Sequence, residues 1–262
     1  CNLASALIGG KRFADAEAAC RKALELDGNS PEAWGNLGQA LAEQFRLGEA
    51  EAAYTTALTL DPGMASLHSG LAKVFLEKGD VAQAAEELGK ALAKDANDPE
   101  ILSHQLFCLN YLPNLPASDM LPIARRYGDA VRAGVTAFDS WQCSPDPARK
   151  LRVGLVSGDL RRHPVGYLLR GPLREIARAE FELFAYSNFP QEDDLSAELR
   201  QHCTAWTVVN ERSDAELARQ IHDDRIDILL DLSGHTDYSR VAVFARRPAP
   251  VQASWLGYFA TT

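Results

Sequence analysis

Residues 151–166 read LRVGLVSGDLRRHPVG, and this segment indicates the architecture of the second half of the chain. The apolar run from Leu151 to Ser157 has the length of a short strand, and Pro164 is placed to open a helix after a brief loop. The same alternation continues downstream, with further strands predicted at 181–187, 204–209, 226–232 and 251–255, and helices at 165–179, 194–202 and 213–223. Strands that alternate with helices predict a parallel sheet of Rossmann type.

Ligands of such a sheet bind in the loops that follow the carboxyl ends of its strands. This rule singles out two loops, residues 158–166 after the first strand and residues 233–238 after the fourth. The first loop carries neither a Gly-x-Gly-x-x-Gly nor a Gly-x-x-x-x-Gly-Lys pattern, which weighs against a dinucleotide or P-loop site. No Asp-x-Asp occurs anywhere, so nothing indicates a metal-held nucleotide diphosphate.

His163 is the candidate catalytic residue, because it falls between a strand end and the start of a helix. The positive helix terminus disfavours imidazolium there, and a neutral imidazole can accept a proton or hydrogen-bond a reacting hydroxyl. Pro164 suits the first helical turn, and Gly166 would let a ligand approach the backbone. His235 lies in the second loop. The alternatives are a capping or surface role for His163 and, for Asp231, hydrogen bonds to its own loop.

The first half of the chain repeats itself every 34 residues, over about residues 1–96. Small residues recur where paired helices approach closely, and large apolar residues recur between them, as in the unit Trp34, Gly35, Leu37, Gly38, Leu41, Ala50, Tyr54, Ala57 and Pro62. This pattern resembles the tetratricopeptide repeat, whose stacked units form a superhelix that binds extended peptides. Asn2 and Asn36 share one repeat position and are candidates to bind an acceptor peptide, although Gly70 interrupts the series in the third unit. Their alternative is a solvated polar face.

Composition argues against several classes of protein. A net charge of -9 argues against a general nucleic-acid binder, and no apolar run is long enough for a membrane span. Five widely spaced cysteines without a Cys-x-x-Cys pattern favour reduced thiols in a cytoplasmic protein. Residues 97–150 are interpreted as transition helices followed by a linker, which leaves residues 151–262 as the Rossmann-like region.

Three motifs together resemble the O-linked N-acetylglucosamine transferase family. They are residues 151–157 with His163-Pro164, then 231–236 (DLSGHT), which is similar to the plant SPINDLY branch, and 247–258 (RPAPVQASWLGY). The resemblance spans essentially the whole chain. It implies an α solenoid of tetratricopeptide repeats followed by the N-terminal Rossmann-like lobe of a GT-B glycosyltransferase, with the second lobe beyond residue 262.

The resemblance also implies a reaction. The hydroxyl of a protein Ser or Thr would attack the anomeric carbon of a nucleotide sugar, UDP-GlcNAc above all, with inversion and without a metal or other cofactor. His163 matches a histidine proposed as the catalytic base, and Thr261 falls in the loop that lines the sugar pocket. Pro164, Gly166, His235, Phe259 and Thr262 are the further substrate-binding candidates. Phe259-Ala260-Thr261-Thr262 stands where many members have Pro-Gly-Thr-Ser or Pro-Asn-Thr-Thr. The two interpretations of this departure are an altered sugar pocket and a bacterial branch of the family.

Three questions stay open at this level. A non-catalytic peptide-binding scaffold is the alternative to an enzyme, and GDP-fucose or UDP-glucose is the alternative to UDP-GlcNAc. Acceptor proteins would lie along the repeat groove, and a homo-oligomer is an open alternative because repeat arrays can pair through exposed helices. The second lobe would carry the diphosphate contacts, so we expect residues 1–262 alone to be inactive.

Overall fold

The computed structural model describes residues 2–113, 115–178, 181–258 and 260. They divide into two compact units, a helical unit, Cys1–Tyr127, and an α/β unit, Gly128–Thr262. The helical unit contains α1 (Asn2–Gly9), α2 (Phe13–Leu26), α3 (Pro31–Ala42), α4 (Leu47–Leu60), α5 (Ala65–Glu77), α6 (Val81–Lys94) and α7 (Pro99–Leu109), and α8 (Ala117–Arg132) runs across the boundary. No helix of the described residues is long and apolar enough to cross a membrane.

The predicted 34-residue period is visible in where the helices begin. The second helices of successive pairs, α2, α4 and α6, begin at residues 13, 47 and 81, and α3, α5 and α7 begin at residues 31, 65 and 99. Ala16, Ala50 and Ala84 occupy one repeat position and are fully buried, as close helix packing requires. The spacing therefore continues through α7, one helix beyond the boundary expected at residue 96.

Gly70 interrupts the asparagine series for a steric reason. It lies 34 residues after Asn36, and a Cβ at Gly70 would overlap the ring of Tyr54. The same ring would meet a Cβ at Gly38. The buried tyrosine therefore needs glycines on both neighbouring helices, and an asparagine at position 70 would displace it.

His68 replaces the tryptophan of the preceding repeat and adds a polar contact inside the array. Trp34 Nε1 donates to the backbone carbonyl six residues before it at 2.9 Å, and His68 Nε2 lies 3.4 Å from the equivalent carbonyl. His68 Nδ1 also lies 2.6 Å from Glu87 Oε2, and the other Glu87 oxygen accepts from Lys90 Nζ at 2.7 Å. Both His68 and Glu87 are buried, so this pair joins α5 to α6 by a contact that the tryptophan could not make.

The α/β unit contains the predicted parallel sheet. Its strands are β1 (Leu151–Ser157), β2 (Phe181–Ser187), β3 (Ala205–Val208), β4 (Ile228–Asp231) and β5 (Val251–Ser254), joined by α9 (Pro164–Arg178), α10 (Asp194–Arg200) and α11 (Asp214–Asp223), with a 3₁₀ helix at Val241–Arg246 that the sequence did not predict. All neighbouring strands are parallel, in the order β3-β2-β1-β4-β5. The expected Rossmann-type arrangement is confirmed, as is the capping box in which Ser213 and Glu216 open α11.

The segment interpreted as a linker is fixed against the α/β unit. The ring of Phe138 stacks on His222 at 4.1 Å, Trp141 Nε1 donates to the Arg247 carbonyl at 3.0 Å, and Cys143 Sγ lies 3.7 Å from the Ile226 carbonyl. Its prolines exclude regular structure, but aromatic burial and hydrogen bonds still hold its path. Residues 138–150 therefore belong structurally to the α/β unit.

Candidate active site at the carboxyl edge of the sheet

The strand order brings the two predicted loops to one place. The chain adds β2 and β3 on one side of β1 and then returns to add β4 and β5 on the other. The loops after β1 and β4 therefore flank the topological switch point, where ligands of open parallel sheets bind. Ser157 Oγ and Ser233 Oγ, at the ends of these strands, are 3.1 Å apart, and Ser157 Oγ also accepts the Asp159 N–H at 2.9 Å.

Asp231 organises the loop after β4. Its carboxylate accepts hydrogen bonds from Ser233 N at 3.1 Å, Gly234 N at 2.9 Å and Ser254 Oγ at 2.8 Å. Only 1% of Asp231 is exposed, and burial raises its pKa, although the three hydrogen bonds act in the opposite direction. The carboxylate is thus engaged by its own loop and by β5, which is the structural alternative considered for it.

His235 is buried in the loop after β4, at this edge of the sheet. The residue is 3% exposed, and its ring packs edge-to-face on Tyr258 with 5.3 Å between the ring centroids. Burial lowers the pKa of His235 to about 4, so the imidazole is neutral near pH 7. The preceding Gly234 has a φ of 60°, and a Cβ there would overlap Tyr258. With 3% of the residue exposed, His235 offers little surface to a ligand at this edge of the sheet.

His163 ends the other loop and immediately precedes helix α9. Its side chain is 36% exposed, the backbone N–H of Val165 donates to Nδ1 at 3.3 Å, and Nδ1 lies 3.7 Å from Asp159 Oδ1. The His163 carbonyl accepts the N–H of Tyr167 at 3.0 Å, as expected at an N-cap. Because Nδ1 accepts the Val165 bond, this geometry favours the tautomer that carries its proton on Nε2.

Asp159 is the acidic residue next to this histidine, and sequence reasoning did not single it out. It is 4% exposed, and its carboxylate lies 3.9 Å from Arg161 and 3.7 Å from His163. Burial raises the pKa of Asp159, whereas the two neighbouring cationic or ionisable groups act to lower it. A buried carboxylate beside an imidazole can orient it and stabilise its protonated form.

The other substrate-binding candidates have different environments. Pro164 is the first residue of α9, as predicted. A Cβ at Gly166 would overlap the backbone carbonyl of Arg161, so the space beside this glycine is filled by its own loop. Phe259, Thr261 and Thr262 lie outside the described residues.

Two further side chains at this edge had no signal in the sequence. The guanidinium of Arg161 lies 4.1 Å above the Phe189 ring, and Phe189 packs edge-to-face on Tyr238 at 5.1 Å. Arg161 Nε also donates to the Gly158 carbonyl at 3.2 Å. These contacts join the loops after β1, β2 and β4 across the mouth of the switch point.

Arg240 ties more of these loops together. It donates to the Asp214 carboxylate at 2.8 Å, to Asn188 Oδ1 at 3.1 Å and to the Arg212 carbonyl at 2.9 Å, with its side chain only 10% exposed. Asn188 in turn donates to the Tyr238 carbonyl at 2.9 Å. The partners of Arg240 are 26 to 52 residues away in sequence, so no local pattern identifies them.

The two asparagines of the helical unit are placed on the first helices of successive pairs. Asn2 is exposed on α1, and Asn36, on α3, donates through Nδ2 to Ser5 Oγ at 3.2 Å. This bond uses one amide hydrogen and leaves the rest of the Asn36 amide with hydrogen-bonding capacity. Among the described residues, no group of three or more His, Cys, Asp or Glu side chains is arranged to hold a metal ion.

Comparison with known protein families covers both units. Residues 134–262 match the model of glycosyl transferase family 41. Residues 1–65 and 41–104 match two tetratricopeptide-repeat models. The second match extends into α7, in agreement with the continued helix spacing.

Relatives and solved structures agree with these matches. A probable UDP-N-acetylglucosamine–peptide N-acetylglucosaminyltransferase SPINDLY from Petunia hybrida is 31% identical over 164 residues, which are 61% of this chain and 18% of the relative. The corresponding SEC protein of Arabidopsis thaliana is 30% identical over 115 residues, 44% of this chain and 12% of the relative. A mutant of Thermobaculum terrenum O-GlcNAc transferase superposes with a TM-score of 0.88 at 34% identity, covering 97% of this chain and 49% of that structure. The chain thus spans about half of the solved relative and under a fifth of the curated ones. Residues 134–262 are thus similar to glycosyl transferase family 41, and residues 1–104 are similar to tetratricopeptide repeats.

Proposed function

We propose that this chain supplies the repeat array and the first Rossmann-like lobe of a protein O-glycosyltransferase. The enzyme would move N-acetylglucosamine from UDP-GlcNAc to Ser or Thr hydroxyls of acceptor proteins. The observation that carries the proposal is the similarity, over 97% of the chain, to a solved O-GlcNAc transferase. The names of the curated relatives, which specify UDP-N-acetylglucosamine and a peptide, support this donor and this class of acceptor.

In the proposed reaction, the acceptor hydroxyl attacks the anomeric carbon, the configuration inverts and the nucleotide diphosphate leaves without the help of a metal. His163 presents its exposed ring at the switch point, where the reacting groups would meet. With the Val165 N–H on Nδ1, the ring donates a hydrogen bond from Nε2 and so positions a substrate oxygen.

A role as catalytic base would need the other tautomer. Nε2 can accept a proton only if Nδ1 carries one, and Asp159 is the carboxylate placed to receive that Nδ1–H. The 3.7 Å separation would have to close, and the bond from Val165 would have to break. The proposal therefore assigns His163 to the reaction and makes Asp159 the residue that decides between donor and base.

The repeat array is the proposed acceptor site. Stacked tetratricopeptide units present a continuous surface for an extended peptide, and an asparagine amide can bind peptide backbone through both its donor and its acceptor. Asn2 and Asn36 are the side chains proposed for this contact. A cytoplasmic location is part of the same proposal, supported by the free thiols of the four described cysteines.

The test is a transfer assay on the full-length protein with radiolabelled UDP-GlcNAc, UDP-glucose and GDP-fucose and a cell extract as acceptor. We expect label on protein from UDP-GlcNAc and strong loss with His163→Ala. If only another donor labels protein, the assignment as a transferase stands and UDP-GlcNAc is wrong as the donor. Peptide binding without transfer from any donor would favour the scaffold instead.

Two additional assays test the role of Asp159 and the activity of the 262-residue chain. If Asp159 sets the base tautomer, Asp159→Asn lowers kcat and changes its pH profile, whereas a donor role for His163 leaves the profile unchanged. The 262-residue chain is assayed in parallel, and transfer by it would contradict the expectation that it is inactive alone. Light scattering of the same samples tests for a homo-oligomer.

A further inference from the structure

A cationic cleft lies at the edge of the α/β unit opposite the switch point. It has a volume of about 200 Å³ and is lined at the amino ends of β1 and β2 by Gln142, Cys143, Ser144, Arg149, Lys150, Arg152, Glu182 and Arg225. Four of these side chains are cationic and one is acidic, in a chain whose net charge is -9. Such a local reversal of charge in an acidic protein concentrates anions.

Two of the arginines are held in place by carboxylates. Arg149 forms a bidentate pair with Asp227 at 2.6 and 2.5 Å, and its Nε donates to the Ser144 carbonyl at 2.8 Å. Arg152 donates to Glu182 at 3.0 Å through Nε and to a backbone carbonyl through one terminal nitrogen. Arg149 also donates to the Lys150 carbonyl at 3.0 Å, so these bonds use four of its five N–H donors and two of the five on Arg152. Both guanidinium groups are thus fixed, with one donor left on Arg149 and three on Arg152.

The other two cations have no counter-charge. Lys150 and Arg225 are exposed, and neither forms an ion pair within the part of the chain that the structure describes. Among the described residues, the four cations of the cleft are therefore matched by two carboxylates, Glu182 in the lining and Asp227 paired with Arg149. An anion that entered the cleft would meet the fixed guanidinium groups of Arg149 and Arg152 and the exposed charges of Lys150 and Arg225.

We propose that this cleft binds a phosphate group. Planar arginine donors match the geometry of phosphate oxygens, and a lysine adds a compact positive charge. The volume suits inorganic phosphate or a small phosphate monoester. The group would come either from a free metabolite or from a phosphorylated side chain of a partner protein. This site is separate from the proposed transferase site, so neither depends on the other.

Isothermal titration calorimetry of the 262-residue chain with inorganic phosphate tests the proposal, with chloride as the titrant at equal ionic strength as the reference. We expect saturable phosphate binding that weakens by about tenfold or more in Lys150→Gln/Arg225→Gln, since charge-assisted hydrogen bonds are lost. The matched control is Arg174→Gln/Arg219→Gln, which removes two exposed charges from helices elsewhere in the same unit and should change the affinity by less than about twofold.

A second titration identifies the source of the phosphate. Tighter binding of a phosphoserine peptide than of inorganic phosphate would support a partner protein, and tighter binding of a sugar phosphate would support a metabolite. The proposal is overturned by an absence of saturable binding, by equal heats from chloride, or by equal losses in the two double variants. Circular dichroism of each variant confirms that it is folded.

Discussion

Replacing Asp231 by alanine should loosen the loop that carries His235. The substitution strands the buried N–H groups of Ser233 and Gly234, whereas the Ser254 hydroxyl can turn toward other acceptors. An unsatisfied buried donor costs about 1–3 kcal/mol, and removing the buried carboxylate relieves part of its desolvation. We therefore expect Asp231→Ala to lower the free energy of unfolding of the α/β unit by about 2–4 kcal/mol. Asp231→Asn keeps one acceptor oxygen and should cost about 1 kcal/mol.

The assay has to report on one unit, because a chain with two units does not satisfy two-state unfolding. Trp34 lies in the helical unit, while Trp141, Trp206 and Trp255 lie in the α/β unit. In a Trp34→Phe background, urea unfolding followed by tryptophan emission therefore reports on the α/β unit alone. The matched control is Asp223→Ala, since the side chain of Asp223 is 70% exposed and its loss should change stability by less than about 0.5 kcal/mol.

Two results would contradict the role given to the Asp231 carboxylate. A loss below about 1 kcal/mol in Asp231→Ala would show that the two backbone donors find other partners. A larger loss for asparagine than for alanine would show that the one acceptor oxygen it keeps does not hold the loop, because its NH2 group then opposes a backbone N–H. Faster hydrogen exchange at residues 233 and 234 in the alanine variant would be the local sign expected if the bonds are lost.

Three more predictions follow from buried or capping contacts. His163→Ala should lower the free energy of unfolding by about 1 kcal/mol, because the cap on the Val165 N–H is lost. In parallel melting and activity assays, His163→Asn should recover the stability but not the transfer activity. Recovery of both would show that the histidine acts only as a helix cap. Burial raises the pKa of Glu87, but hydrogen bonds from the adjacent lysine and histidine lower it below its usual range. The contribution of Glu87 to the free energy of unfolding is therefore present above its unfolded pKa and is lost as the pH falls through its folded pKa. In urea unfolding at a series of pH values, the difference in stability between wild type and Glu87→Gln should shrink below about pH 5. A difference that stays constant with pH contradicts this. Gly234→Ala combines a positive φ with overlap on the tyrosine behind it and should cost about 2–4 kcal/mol by urea unfolding. In contrast, Gly89→Ala, at an exposed position of α6 with nothing within 4 Å of the added Cβ, should be neutral or stabilising.

Much of the architecture was predictable because its signals are local. Helix starts separated by 34 residues follow from the recurrence of small and large apolar residues, and β1 and β2 have the predicted limits. The cap at Ser213 is likewise encoded within four residues. The 3₁₀ helix at Val241–Arg246 was not predicted, since its short length provides no periodicity to recognise.

The candidate site was predictable only in part. The rule that ligands bind after parallel strands located both loops, and His163 lies immediately before α9, where the sequence indicated. The rule did not identify the partner of that histidine, Asp159, because an acidic residue four positions earlier in a loop has no fixed direction. It also gave no indication that Gly166 packs on its own loop.

Local sequence patterns account for the repeat array, the alternation of strands and helices and the positions of the two loops, because hydrophobic period and cap chemistry act within a few residues. The tertiary structure alone decided the strand order, the 76-residue contact between Ser157 and Ser233, the buried carboxylate beside His163 and the loops gathered by Arg240. It also brought the cations of the opposite cleft together. These contacts depend on which distant segments pair in the sheet, and pairing is selected by the packing of the whole core.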